Sequence, residues 1–289
     1  MNSLAPAAIA GLSEIAPAYD AVLCDVWGVV HNGVESFPAA CDALSRFRER
    51  SGLVVLVTNA ARPREPILAQ LESLKVPPAA FDDIVTSGGV TRGLLVERAG
   101  AAVFHVGPER DLVLYEGLPI RLVGEAEAEL ICCTGLFNDE VERPEDYAER
   151  LAEWAKRGLP MICANPDIVV ERGHKLVPCA GALAALYGQL GGKVLTAGKP
   201  HPPIYAAALA RLDELAGRPL ARSRLLAIGD GVATDLRGAV GAGLDVLFVT
   251  GGIHVAEFGP PEKPDPGRIE AFLAKHGVAA RAFIPRLRW

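Results

Sequence analysis

A few residues of this chain have the types and spacing to do chemistry together. Asp25 ends an apolar run, Ala21-Val22-Leu23-Cys24, and Thr58 with Asn59 ends another, Leu53-Val54-Val55-Leu56-Val57. Lys199 lies just beyond a short run ending at Thr196, and Asp230 and Asp235 share the stretch Gly229-Asp230-Gly231-Val232-Ala233-Thr234-Asp235. Singly, each also has a plain structural role: Thr58 and Asn59 as turn formers, Lys199 as a solvated charge, Asp235 as the N-cap of a following helix. Jointly they supply a carboxylate nucleophile, a hydroxyl and an amide donor, a cation and an acid pair. Phosphoryl transfer to a carboxylate needs that set. The incoming phosphate requires a neutralising cation, Mg²⁺ requires oxygen ligands, and a covalent carboxyl intermediate splits one hard displacement into two easier ones.

The elements that must position these residues follow from hydrophobic pattern. Runs at 21–25, 53–57, 84–86, 101–106, 128–134, 160–164, 193–196, 225–228 and 245–249 read as buried strands. Between them, 38–50, 64–74, 109–115, 144–157, 179–190, 203–215 and 236–242 read as helices, with 266–276 in the tail and a short helix at 3–16 capped by Ser3. In 38–50 the expected inward positions are Ala39, Leu44 and Phe47. The strand at 193–196 is expected to resume the first sheet. Strands alternating with helices imply α/β architecture with a mostly parallel sheet, whose carboxyl ends border the ligand crevice. Gly28, three residues after Asp25, lets the chain turn away sharply.

Composition narrows the classes of function. The 289 residues are 50% hydrophobic, ample for a buried core, and the formal net charge of −6 has Lys and Arg spread along the chain. That spread argues against nucleic acid as a partner. Cys24, Cys41, Cys132, Cys133, Cys163 and Cys179 form no C-x-x-C pair and read as buried thiols of a reducing compartment. Met1 to Asp20 lacks a signal-peptide pattern and no apolar run approaches ~18 residues, so a cytoplasmic protein with no membrane partner is expected. No G-x-G-x-x-G follows a strand in a βαβ context, and Gly198-Lys199-Pro200 lacks the lead and the Ser/Thr of a P-loop.

In this order, Asp25-Val26-Trp27-Gly28-Val29, Val57-Thr58-Asn59, Gly198-Lys199-Pro200 and Gly229 to Asp235 resemble the four motifs of the haloacid dehalogenase (HAD) superfamily. Asn165-Pro166-Asp167 and Pro178-Cys179-Ala180-Gly181-Ala182 resemble cap signatures of its class IIA branch, which includes sugar-phosphate, nucleotide and p-nitrophenyl phosphatases. The resemblance implies a Rossmann-like three-layer parallel-sheet core, residues 1–86 and 193–289, with an inserted α/β cap domain, 87–192, that closes over the site and selects the leaving group. It makes Asp25 the nucleophile and a Mg²⁺ ligand, with the Trp27 carbonyl, Asp230 and Asp235 completing the metal set and Asp235 orienting its neighbours. Thr58, Asn59, Gly28 and Lys199 become the residues that bind the substrate, a small phosphorylated metabolite. Homodimers through the cap are expected by the same resemblance.

One position departs from the family pattern. Its phosphatases carry a second Asp two residues after the nucleophile as general acid and base, and here that position is Trp27. General acid–base catalysis typically contributes ~10²–10⁴ in rate, and indole has no useful acidity. His31 and Glu35, in the following turn, are the candidate replacements; His201 and His254 stay open between that role and a structural one, and His105 reads as ending a strand. Two other functions compete: a phospho-ligand-binding protein with little turnover, and a metal-free dehalogenase. The second gains nothing from Asp230 and Asp235.

Overall fold

The computed structural model describes residues 5–172 and 175–289, so the expected cap Ser3 lies outside the described residues. In chain order the strands are β1 (Ala7–Ala8), β2 (Ala21–Asp25), β3 (Leu53–Thr58), β4 (Asp83–Thr86), β5 (Ala102–Val106), β6 (Arg121–Leu122), β7 (Leu130–Cys133) and β8 (Met161–Cys163). They continue with β9 (Val169–Arg172), β10 (Lys175–Pro178), β11 (Val194–Thr196), β12 (Leu225–Gly229), β13 (Asp245–Val249) and β14 (Ala282–Ile284). The α-helices are α1 (Pro38–Glu49), α2 (Arg64–Ser73), α3 (Ser87–Val96), α4 (Ala148–Lys156), α5 (Ala180–Gln189), α6 (Pro202–Ala216), α7 (Arg237–Gly241) and α8 (Pro266–His276). The chain forms two compact units. One takes the chain up to Thr58, Ala69–Val85 and Tyr205–Trp289; the other takes Asn59–Leu68 and Thr86–Ile204.

The first unit is built on a seven-stranded sheet in the order β1-β14-β13-β12-β2-β3-β4. Strand β2 is buried at every residue and pairs in parallel with β3 on one side and β12 on the other. Burial on both faces explains its unbroken apolar run. The chain builds the sheet outward from β2 through β3 and β4, then returns to place β12 beside β2 and builds the other way. The direction of winding reverses between β2 and β12, and in such sheets the crevice at the reversal takes the ligand. Helix α1 starts on Pro38, whose missing N–H costs nothing at a first helical position, and buries Ala40, Cys41, Ala43, Leu44 and Phe47. Leu44 and Phe47 point inward as the pattern required; Ala39 is exposed and Ala40 and Ala43 take its place.

The second unit holds a five-stranded parallel sheet, β11-β8-β7-β5-β6, and the antiparallel pair β9-β10. Its inner strands β7 and β8 are also buried on both faces. Along β7, Ile131 and Cys133 join a core with Trp154 and Tyr187, while Leu130 and Cys132 join a second core with Val103 and Ile162. That is the two-residue alternation of a strand. All six cysteines are buried free thiols, and burial pushes the Cys132 and Cys163 thiols up to about 12. They act as core side chains.

Three expectations are corrected, and a fourth, the helix over 236–242, is present with an added lead-in. The stretch at 193–196 contributes β11, which pairs with β8 in the second sheet and does not resume the first. The helix expected over 3–16 is, within the described residues, the short strand β1 and two 3₁₀ turns, because β1 pairs with Ala282 and Phe283 of β14, a strand that was not foreseen. The 109–115 segment is a 3₁₀ helix, not an α-helix. The segment after Asp230 is a π-helical turn, Val232–Leu236, running into α7.

Candidate active site

Asp25 is the last residue of β2, and Asp230 follows β12, the neighbouring strand at the reversal. Asp235 rides on the π-helical turn just after. The three carboxylates are 7%, 7% and 6% exposed, and each offers an oxygen within 4.8 Å of the others. Like charges so close and so buried repel strongly unless a cation or proton joins them. Two oxygens on opposite sides of a hard divalent cation with ~2.1 Å bonds lie about 4.2 Å apart. An all-oxygen donor set at this spacing fits Mg²⁺.

The surrounding backbone holds the carboxylates in place. Asp230 Oδ2 accepts the Ile253 N–H at 2.8 Å, and Asp235 Oδ2 accepts the Gly231 N–H at 3.1 Å. The Val232 N–H donates to His254 Nε2 at 3.3 Å, which anchors the turn that carries Asp235. Gly28 has φ of 85°, in the left-handed region, and a Cβ there would lie 2.3 Å from Asp230 Oδ2. At Gly252 a Cβ would lie 1.9 Å from the same oxygen. Gly252 and Ile253 were missed in the sequence. Their only signal was the Gly251-Gly252 pair two residues beyond an apolar strand.

Thr58 is the last residue of β3 and is 8% exposed. Trp27 packs against Gly33, where a Cβ would meet the indole at 2.5 Å, and edge-on to His31 at 5.1 Å between centroids. His31 is 2% exposed and its Nδ1 accepts the Gly33 N–H at 3.0 Å. Burial holds its pKa down at about 4. His31 is therefore neutral at pH 7, with one nitrogen committed to the backbone, and it is no ready acid. Glu35 is exposed; its backbone exchanges hydrogen bonds with Asn32 in the same turn.

In the second unit the structure brings Asn59 and Lys199 together. Asn59 Oδ1 accepts the Lys199 N–H at 2.7 Å, and its Nδ2 donates to the Lys199 carbonyl at 3.3 Å and to Asp167 Oδ1 at 2.8 Å. Asn59 and Lys199 are 4% and 3% exposed. Asp167, singled out in the sequence without a role, thus fixes the amide of Asn59.

Two outcomes follow from this geometry. Gly252→Ala drives a methyl into Asp230, and we expect Mg²⁺ affinity, read by calorimetric titration, to fall at least ~10-fold with the far-ultraviolet dichroism unchanged. For His31 the unfolded chain takes up a proton as pH falls below 6.5 while the native state stays neutral down to about 4. Stability is therefore lost across that window as pH falls, by up to about 3 kcal/mol. Urea midpoints of wild type and His31→Asn between pH 7 and 4 should show a flatter profile in the variant.

Comparison with known proteins gives the same direction. Residues 22–120 match the haloacid dehalogenase-like hydrolase family and residues 196–269 a HAD-hydrolase-like family. The crystal structure of a haloacid dehalogenase-like hydrolase from Brucella suis is 49% identical, with a TM-score of 0.86, covering 96% of this chain and 98% of that one. A glycerol phosphate phosphatase from Mycobacterium tuberculosis, solved in complex with magnesium, is 30% identical, with a TM-score of 0.64, over 83% of this chain and 70% of that one. The 5'-nucleotidase YutF of Bacillus subtilis is 26% identical over 83% of this chain and 90% of its own length. With its reversal-point carboxylates and these relatives, the chain belongs to the haloacid dehalogenase-like hydrolases.

Proposed function

We propose that this protein is a Mg²⁺-dependent phosphatase that hydrolyses a small phosphorylated metabolite, a sugar or nucleotide phosphate, in the cytoplasm. The observation that carries the reading is the buried triad Asp25, Asp230 and Asp235 at the point where the sheet's winding reverses. Relatives named as a nucleotidase and as a glycerol phosphate phosphatase, the latter solved with magnesium, support it. In this reading the expected core, 1–86 and 193–289, gives up β11 to the substrate-selecting cap, which holds the second sheet.

Asp25 attacks phosphorus, the bond to the leaving oxygen breaks, and an aspartyl-phosphate forms on the carboxyl oxygen. Water then attacks that phosphorus and returns Asp25 as a free carboxylate with inorganic phosphate. Thr58, Asn59, Lys199 and the backbone at Gly28 hold the phosphoryl oxygens, and the Lys199 ammonium offsets their charge. Asp25, Asp230, Asp235 and the Trp27 carbonyl would hold Mg²⁺, which supplies charge neutralisation for the transferring group. The Asn59 side-chain amide, bonded to Asp167 and to both backbone groups of Lys199, acts by positioning Lys199.

A second reading, a phospho-ligand-binding protein with little turnover, draws on Trp27 and His31. Neither side chain gives the departing oxygen a proton at neutral pH, which favours activated leaving groups. Phosphate release from p-nitrophenyl phosphate and from sugar and nucleotide monophosphates separates the two. For a phosphatase, release depends on Mg²⁺ and falls at least ~100-fold in Asp25→Asn. No release from any ester leaves the binding protein. Trp27→Asp, which supplies the absent carboxyl, should raise turnover of the alkyl esters at least ~10-fold relative to p-nitrophenyl phosphate, part of the ~10²–10⁴ that an acid contributes.

A further inference from the structure

The loop after β13 supports the carboxylate cluster at two points. Its Ile253 N–H donates to Asp230 Oδ2, and His254 Nε2 accepts the Val232 N–H of the turn that bears Asp235. What holds the loop itself comes from β14. The Thr250 N–H donates to the Ile284 carbonyl at 3.0 Å, and the Gly251 N–H to the Pro285 carbonyl at 2.8 Å, one residue beyond the strand. The approach is close: a Cβ on Gly251 would stand 2.3 Å from that carbonyl oxygen and 3.0 Å from Arg286 Nε. The backbone around Arg286 is fixed as well. Leu287 is 2% exposed, and the Arg288 carbonyl accepts the Leu12 N–H at 2.8 Å.

From Gly251 the Arg286 side chain runs to Phe37, and its guanidinium lies over that ring at 5.1 Å from the centroid. That distance is within the range of a cation–π contact. Phe37 closes the turn after Asp25, its N–H donating to the Val30 carbonyl at 2.7 Å, and α1 starts at the next residue. Arg286 therefore touches both the loop that supports Asp230 and the end of the turn from Asp25, although β14 stands three places from β2 in the sheet. Buried carboxylates repel, so two segments that carry them need an outside tie to stay at ligand spacing. An arginine suits the task. Its apolar stem packs beside the Gly251 backbone while its flat cation rests on the aromatic face.

We infer that Arg286 is a positioning residue for the metal site, clamping the 251–253 loop to Phe37 so that Asp25 and Asp230 stay at the spacing Mg²⁺ takes. The inference rests on the phosphatase reading for its metal alone and adds a residue that is not itself a ligand. The test is Mg²⁺ affinity, read by calorimetric titration in ~0.3 M KCl to screen long-range charge. Arg286→Met keeps a stem beside Gly251 and loses the cation; Phe37→Leu loses the ring. Each should weaken Mg²⁺ binding ~3-fold or more. The double variant should bind no more weakly than the worse single one, since both changes remove the same contact. The sign of the effect is diagnostic. Arg286 acting only as a charge would repel Mg²⁺, so its loss would tighten binding. Arg286 acting only on stability would, when lost, lower the urea midpoint and leave Mg²⁺ affinity as it was. Either result, additive losses in the double variant, or a wild type that binds no Mg²⁺ overturns the inference. Failure of the phosphatase reading shows separately, as absent phosphate release with the Mg²⁺ differences intact.

Discussion

Three carboxylates within 4.8 Å of one another, each less than a tenth exposed, set the conditions that the rest of the first unit satisfies. Mutual repulsion at that spacing would drive them apart or protonate them, so the backbone must hold them from outside. It does so with N–H groups, from Ile253 to Asp230 and from Gly231 to Asp235, and by the absence of side chains at Gly28, Gly229 and Gly252. The cluster sits where β2 and β12 part, because that is where two adjacent strand ends leave in opposite directions and open a crevice.

The parts of this arrangement legible in the sequence are those with a local cause. A strand buried on both faces must be continuously apolar, so β2, β3 and β12 stood out, and the polar residue at each carboxyl end stood out with them. Helix α8 was readable to the residue, from Pro266 to His276, where Gly277 closes it in the left-handed conformation. What escaped depends on distant partners. The register that hands β11 to β8 has no trace in Val194-Leu195-Thr196, and the pairing of β1 with β14 joins segments from opposite ends of the sequence. The support that Gly252 and Ile253 give Asp230 is likewise invisible, since backbone groups leave no mark on residue type. The motifs said which side chains mattered; the fold supplied what holds them.

Trp27 and His31 show how one side chain shapes its surroundings. The indole needs room, which Gly33 leaves by having no side chain, and it takes an edge contact from the buried His31. Burial in turn fixes His31 in its neutral form, with the Gly33 N–H on Nδ1. The turn after Asp25 is therefore organised around the Trp27–His31 ring pair.

The strand order also dictates when the active site can exist. Asp25 is made early, but its neighbour in the sheet, β12, comes some two hundred residues later, and β1 waits for β14. The second unit, apart from residues 59–68, is a continuous stretch finished before β12 emerges. At ~5–20 residues per second the apolar strands β2 and β3 spend many seconds without their central partner. During synthesis β2, even once paired with β3, therefore keeps an open edge of buried-type residues on its other side until β12 arrives.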